Sequence, residues 1–293
     1  MRRLITNADD FGLTCGVNRG ISEAHARGLL TSATLMATGA AFEDAVRTAG
    51  EHPNLSVGCH IVLVDGTPVS NSGRIPTLVS NSSASFRHKI SSLAIGNMLG
   101  KIDEDEIEAE AMAQFRKIQS AGVTISHFDT HKHAHMLPAV LRALLRAAKQ
   151  CGIPAVRNPF GPRRTFFTAE LRFRPQLWKR YLQVNALRAY YPGFQSAVRE
   201  AGLATPDGSL GVISTGSMDL ATFRRILQSL PDGTWELVCH PGYNDEDLSR
   251  VTTRLRESRD QERRLLTSAA AREEVNRAAI ELISYRDFVV RQT

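Results

Sequence analysis

The feature that most constrains this chain is a repeated switch of hydrophobic period. Short apolar runs rich in β-branched residues alternate with stretches whose apolar positions recur at helical spacing. The runs at Arg3–Thr6, Ala33–Thr38, Leu55–Val64, Val123–Phe128, Ala155–Arg157, Gly211–Thr215 and Trp235–Cys239 read as strands. Helical patterns occupy Val17–Arg27, Phe42–Glu51, Glu104–Ala121, Pro138–Cys151, Leu220–Ser229 and Arg254–Leu282. Pro138 suits a first helical position, where its missing N–H is no loss, and Gly152 suits a C-terminal cap. Such alternation calls for a parallel sheet with helices outside it, either a (β/α) barrel or a doubly wound sheet. About seven strands point to a TIM-like, irregular barrel. No GxGxxG or GxxxxGK[ST] loop is present, which weakens a nucleotide-binding reading.

A chain of 293 residues with 42% hydrophobic and 23% charged content can bury one sizeable core, which excludes disordered, collagen-like and disulfide-dominated classes. The expected organisation is one domain over 1–293 with insertions at about 70–100 and 160–195. The net charge of +6 is modest and does not by itself imply a nucleic-acid partner, so none is expected. Cys15, Cys59, Cys151 and Cys239 form no CxxC and read as reduced thiols. The opening MRRLITNADD reaches two carboxylates before any apolar stretch of signal or membrane length, and a cytoplasmic location is expected.

Two stretches interrupt the βα rhythm. Ser70–Ser85 is rich in Ser and Asn and reads as a loop. Phe160–Phe194 combines nine aromatic residues and seven cations with one acid, Glu170. Three readings fit it: a helical lid packing its rings on the barrel, peripheral membrane contact, or stacking on nucleic acid. Lid and membrane contact are compatible, and both rank above nucleic acid.

Four constellations could carry chemistry. Asn7-Ala8-Asp9-Asp10-Phe11-Gly12 stands where the first strand should end, so its acids could cap a helix or supply a metal ligand and a general base. Gly58-Cys59-His60 lies in a strand, with Cys59 and His60 on opposite faces. His127-Phe128-Asp129-Thr130-His131-Lys132-His133-Ala134-His135 puts four of nine histidines in one short segment. If extended, it would send His127, Asp129, His131, His133 and His135 to one side. Cys239-His240-Pro241-Gly242 ends the last clear strand, where His240 could merely close a loop. All of these, with Arg157, fall near C-terminal strand ends, which converge on one face of a barrel. Only about three protein ligands are needed for a catalytic zinc-type ion, so some of these groups would orient the others.

With these motifs in this order, the chain resembles the YdjC-type carbohydrate deacetylase family. The resemblance runs from Asn7 to Pro241, through NADDFG, the Gly58–His60 strand, the HxDxHxHxH spacing of His127–His135, and Cys239-His240-Pro241. Within the family, Gly58–Val69 and the His-Lys-His of His131–His133 are most similar to the hopanoid-biosynthesis branch, HpnK. The resemblance implies removal of the acetyl group from an N-acetylglucosamine carried by a bacteriohopanetetrol lipid. A deacetylase of soluble chito-oligosaccharides is the alternative within enzymes, and a basic nucleic-acid-binding protein the alternative outside them.

The resemblance further implies that Asp10, His60 and His131 hold a divalent ion, that Asp9 is the general base and that His240 is the general acid. Asp129 and Arg157 are candidates to support these groups, Arg157 by tuning Asp9 or, in the alternative, only as a plain surface ion pair. His133 and His135 would contact substrate or support ligands. Two imidazoles and a carboxylate suit zinc first, and also accept iron, cobalt, nickel or manganese, while magnesium is associated with family members.

Overall fold

In the computed structural model, which describes residues 1–80, 84–162, 178, 187–212 and 214–292, seven strands share one sheet. They are β1 (Arg2–Phe11), β2 (Ser32–Leu35), β3 (Ser56–Ile61), β4 (Phe128–Thr130), β5 (Gly208–Leu210), β6 (Gly233–Cys239) and β7 (Glu281–Leu282). The order is β4-β3-β2-β1-β6-β5, with β7 pairing the start of β1. Every ladder is parallel, as helical crossovers require. The sheet curls into a half-barrel. Residues 155–160 span its two edges: Phe128 N donates to Ala155 O and Arg157 N to Phe128 O, both at 3.0 Å, and Ser209 N donates to Phe160 O at 3.0 Å. The result is the irregular barrel-like α/β fold expected from the alternation.

Several boundaries differ from expectation. Residues 155–157 hold a strand's place through isolated bridges only. The strand expected at Gly211–Thr215 lies at Gly208–Leu210 instead, because Gly211 turns to φ +85° and leaves the β region. Of the Val123–Phe128 run only Phe128 falls within strand β4, although Ser126 N already donates to Val57 O at 2.8 Å and His127 O accepts from Cys59 N at 2.9 Å. The long Arg254–Leu282 pattern is two helices, Glu257–Thr267 and Ala269–Arg277, followed by β7. Ser268 separates them with extended backbone while its side chain accepts from Ala271 N at 3.1 Å, so it caps the second helix. The Ser70–Ser85 loop carries a short 3-10 turn at Ser72–Arg74, and an unforeseen helix follows it at Ile90–Met98. Most of the expected lid or membrane segment, residues 163–177 and 179–186, lies outside the described residues. Its end, helix Tyr191–Ala201, buries Phe194 and Val198 beside helix Pro138–Cys151.

Except for the short, partly exposed β7, the strands are buried on both faces, as in a sheet covered by helices. Inside the barrel the filling is layered. Ile5, Ala155, Ile283, Tyr285 and Phe288 form a small apolar cluster near the N-terminal strand ends. Above it lie buried polar groups: Asn7, Asp9, His60, His127, Asp129, Arg157 and Glu236. Gly58 makes room for one of them, since a Cβ there would stand 2.5 Å from the His127 ring. Among the described residues, no helix is long and apolar enough to cross a membrane.

Candidate active site

Strict alternation along β1 would send Asp9 and Asp10 to opposite faces. It is broken between Ala8 and Phe11, where the register against β2 shifts and Asp10 takes φ 65°. This irregularity lets neighbouring acids serve one site, at the cost of a left-handed non-glycine residue. A second departure lies in the histidine segment. It is extended only to Thr130; Lys132 and His133 then adopt φ 56° and 54°. The one-sided arrangement expected for His127 to His135 therefore fails beyond Thr130. His127 and Asp129 reach into the barrel, whereas His131 is delivered by the turn.

Asp10 Oδ1 stands 3.5 Å from His60 Nε2 and 3.5 Å from His131 Nδ1. One ligand atom from each of the three lies within 4.8 Å of the others. Asp9, His60 and Asp129 form a second such group, but Arg157 binds both of its acids. His60 Nδ1 is 2.7 Å from Asp129 Oδ1, which fixes the ring and leaves Nε2 facing Asp10. Two guanidiniums, Arg157 and Arg259, oppose four buried carboxylates, Asp9, Asp10, Asp129 and Glu236. Burial alone would lower the His60 pKa, but Asp129, Asp9 and Asp10 outweigh it and push it up to about 9. Two nitrogens and one oxygen in a pocket of surplus negative charge fit a divalent ion.

Arg157 is the hub of the barrel interior. It donates to both Asp9 oxygens, to Asp129 Oδ2 and to Glu236 Oε1. Burial would raise the Asp9 pKa, yet Arg157, His60 and His240 together hold it below the ordinary carboxylate value. Asn7 adds a donor to Asp9 Oδ1 at 3.2 Å and accepts from His127 Nε2 at 3.2 Å. His127 stacks on Tyr285 with ring centroids 3.6 Å apart, and Tyr285 Oη donates to Glu236 Oε2 at 2.6 Å.

His240 Nε2 lies 3.8 Å from Asp9 Oδ2, on the β6 side of the mouth. Burial lowers its pKa to about 4, against the pull of Asp9 and Asp10, so the ring is neutral near pH 7. His135 Nδ1 pairs with Thr130 Oγ1 at 2.7 Å and lies behind the turn, and His133 neighbours it with centroids 6.2 Å apart. Burial pushes the His133 pKa down to about 3. Neither joins a group of ligand atoms around Asp10.

Four participants escape the sequence reading. Glu236 had a signal, a carboxylate in the apolar run Trp235–Cys239. Tyr285, Arg259 and Glu262 had none: the charged pattern of Glu257–Thr267 looks like any solvated helix face, and Tyr285 falls outside every strand, helix and motif read from the sequence. Arg259 Nη2 donates to Asp10 Oδ2 at 2.5 Å, and Glu262 Oε2 accepts from His240 N at 2.6 Å.

The chain is similar to known proteins along almost its whole length. It is 32% identical to a carbohydrate deacetylase of Brevibacillus brevis over 286 residues, covering 97% of this chain and 99% of the relative. It is likewise 32% identical to a carbohydrate deacetylase of Geobacillus stearothermophilus, over 98% of each. A crystal structure of a candidate cellobiose-phosphate cleavage protein from Enterococcus faecalis superposes with a TM-score of 0.78, at 26% identity and 98% coverage of both chains. The model of the family described as YdjC-like protein matches residues 3–277, and the chain belongs to that family.

Proposed function

We propose that this protein is a metal-dependent carbohydrate N-deacetylase that hydrolyses the acetamide of an N-acetylglucosamine unit borne by a glycosylated hopanoid lipid. The coarser reading, a carbohydrate deacetylase and hence a hydrolase of an amide bond, rests on the similarity to curated deacetylases over nearly the full chain. The observation that carries the chemistry is the convergence of Asp10, His60 and His131 on one point, with Asp9 and His240 beside it. In this reading the three residues hold the ion, with zinc first; when bound, it acidifies water and polarises the acetyl carbonyl. Asp9, kept ionised by Arg157, accepts the proton of the attacking water. His240 starts neutral, takes up that proton and delivers it to the amide nitrogen as the C–N bond breaks. Asp129 keeps His60 in the required tautomer, and His133 and His135 support the turn or meet the sugar.

The lipid assignment is supported by the similarity of Gly58–Val69 and His131–His133 to the hopanoid branch. Exposed Ile95, Met98 and Leu99 on the insertion also suit an apolar surface. Peripheral contact with the inner membrane face through 160–194 belongs to the same proposal. The deciding experiment incubates purified protein with N-acetylglucosaminyl bacteriohopanetetrol and, separately, with soluble chito-oligosaccharides, and measures acetate. Release from the lipid is expected. Release from the soluble sugars alone overturns the lipid assignment in favour of a chito-oligosaccharide deacetylase.

A further inference from the structure

Helix Glu257–Thr267 lies outside every motif identified in the sequence, yet it sends Arg259 into the site. Arg259 is 1% exposed. Its Nε donates to Leu255 O at 3.2 Å, and its Nη2 donates to Asp10 Oδ2 at 2.5 Å. Gly242 packs against its stem, where a Cβ would stand 3.3 Å from Arg259 Cδ. These contacts orient the guanidinium toward Asp10, while its Nη1, also buried, has no hydrogen-bond partner among the described residues. A charge-assisted bond of this length ties up one carboxylate oxygen. The other, Oδ1, is the atom that faces His60 and His131.

We propose that Arg259 is a positioning residue that makes Asp10 a one-oxygen ligand and thereby sets which divalent ions the site prefers. The inference rests on the proposed Asp10–His60–His131 ligand set. Calcium takes six to eight oxygens and often uses both oxygens of a carboxylate. A pinned, partly neutralised Asp10 serves calcium poorly. Zinc needs few ligands and draws much of its affinity from the two imidazoles, which Arg259 does not touch. Arg259 therefore favours the zinc-type ion by weakening calcium.

The test strips the full-length protein with a chelator and titrates Zn²⁺, Mg²⁺ and Ca²⁺ calorimetrically into wild type, Arg259→Met and Arg259→Gln, with circular dichroism to check folding. Met keeps an apolar stem and removes every donor; Gln keeps one neutral donor for Asp10. Loss of such an orienting partner typically changes metal affinity 10–100-fold. The ratio of calcium to zinc dissociation constants is expected to fall by about tenfold or more in Arg259→Met and by less in Arg259→Gln. If the Met variant does not fold, the Gln variant decides, and any clear fall in the ratio supports the inference. A ratio unchanged in the folded variants overturns the inference alone. Failure of wild type to bind any of the three ions overturns the ligand set itself and takes this inference with it.

Discussion

Arg157 grips both oxygens of Asp9, Nη1 reaching Oδ2 at 2.9 Å and Nη2 reaching Oδ1 at 2.6 Å. The same guanidinium satisfies Asp129 and Glu236, so one fully buried cation holds three acids in register. Replacing it leaves carboxylates without a counter-charge in a low-dielectric interior. Arg157→Met is expected to cost about 3–5 kcal/mol of stability, read from urea unfolding at pH 7. A loss below about 1 kcal/mol, the range of exposed pairs, would mean the network relaxes into water.

Asp9 and Asp10 are neighbours in sequence but differ in their proposed tasks. Asp9→Asn keeps the shape and the ligand set, so bound metal should stay near wild-type level while turnover drops by about 10²–10⁴-fold. Metal analysis and acetate release on the same preparation check this. Unchanged turnover removes Asp9 as the base.

His131 is expected to behave in the opposite way. His131→Ala removes a proposed ligand, so metal occupancy itself should fall, with activity falling in proportion. Asp129→Asn should give a milder version, about 10–100-fold in affinity, because it disturbs only the orientation of His60. Equal metal content in His131→Ala and wild type would exclude His131 from the ligand set.

Glu262 makes stability depend on pH. Burial pushes its pKa up to about 7 from the ordinary 4.5, although its bond from His240 N and the charge of Arg259 oppose this. Because the folded pKa lies above the unfolded one, the folded state binds the extra proton. This contribution is fully present below about pH 4.5 and is lost as pH rises through about 7. A shift of this size corresponds to roughly 3 kcal/mol. Glu262→Gln should remove that slope, gaining stability over wild type above pH 7 relative to pH 5. Parallel stability curves for the two proteins would show that Glu262 titrates normally.

Gly58 tests the packing of the barrel interior. A methyl group there meets His127 Cε1 at 2.5 Å and Nδ1 at 2.6 Å, and the ring is confined by Tyr285 and Asn7. Gly58→Ala should therefore cost about 1–3 kcal/mol, as overpacking usually does. A thermal midpoint equal to wild type would show that the ring can move aside.

The amino-acid order alone determined the parallel α/β architecture and the crowding of acids and histidines at strand ends, because hydrophobic period reports the local backbone directly. It also placed Asp9, Asp10, His60, His131 and His240 close enough to one face for a shared site to be anticipated. What only the tertiary structure decided are the exceptions to period and the partners across space. The break in β1 turns Asp10 toward His60, and the left-handed pair Lys132 and His133 delivers His131. Glu236, Arg259, Glu262 and Tyr285 join the site from β6 and the C-terminal helices. Their roles depend on register and packing between segments far apart in the chain. For Arg259 and Glu262 no local pattern encodes that, because the same charged residues in the same helix would otherwise face water.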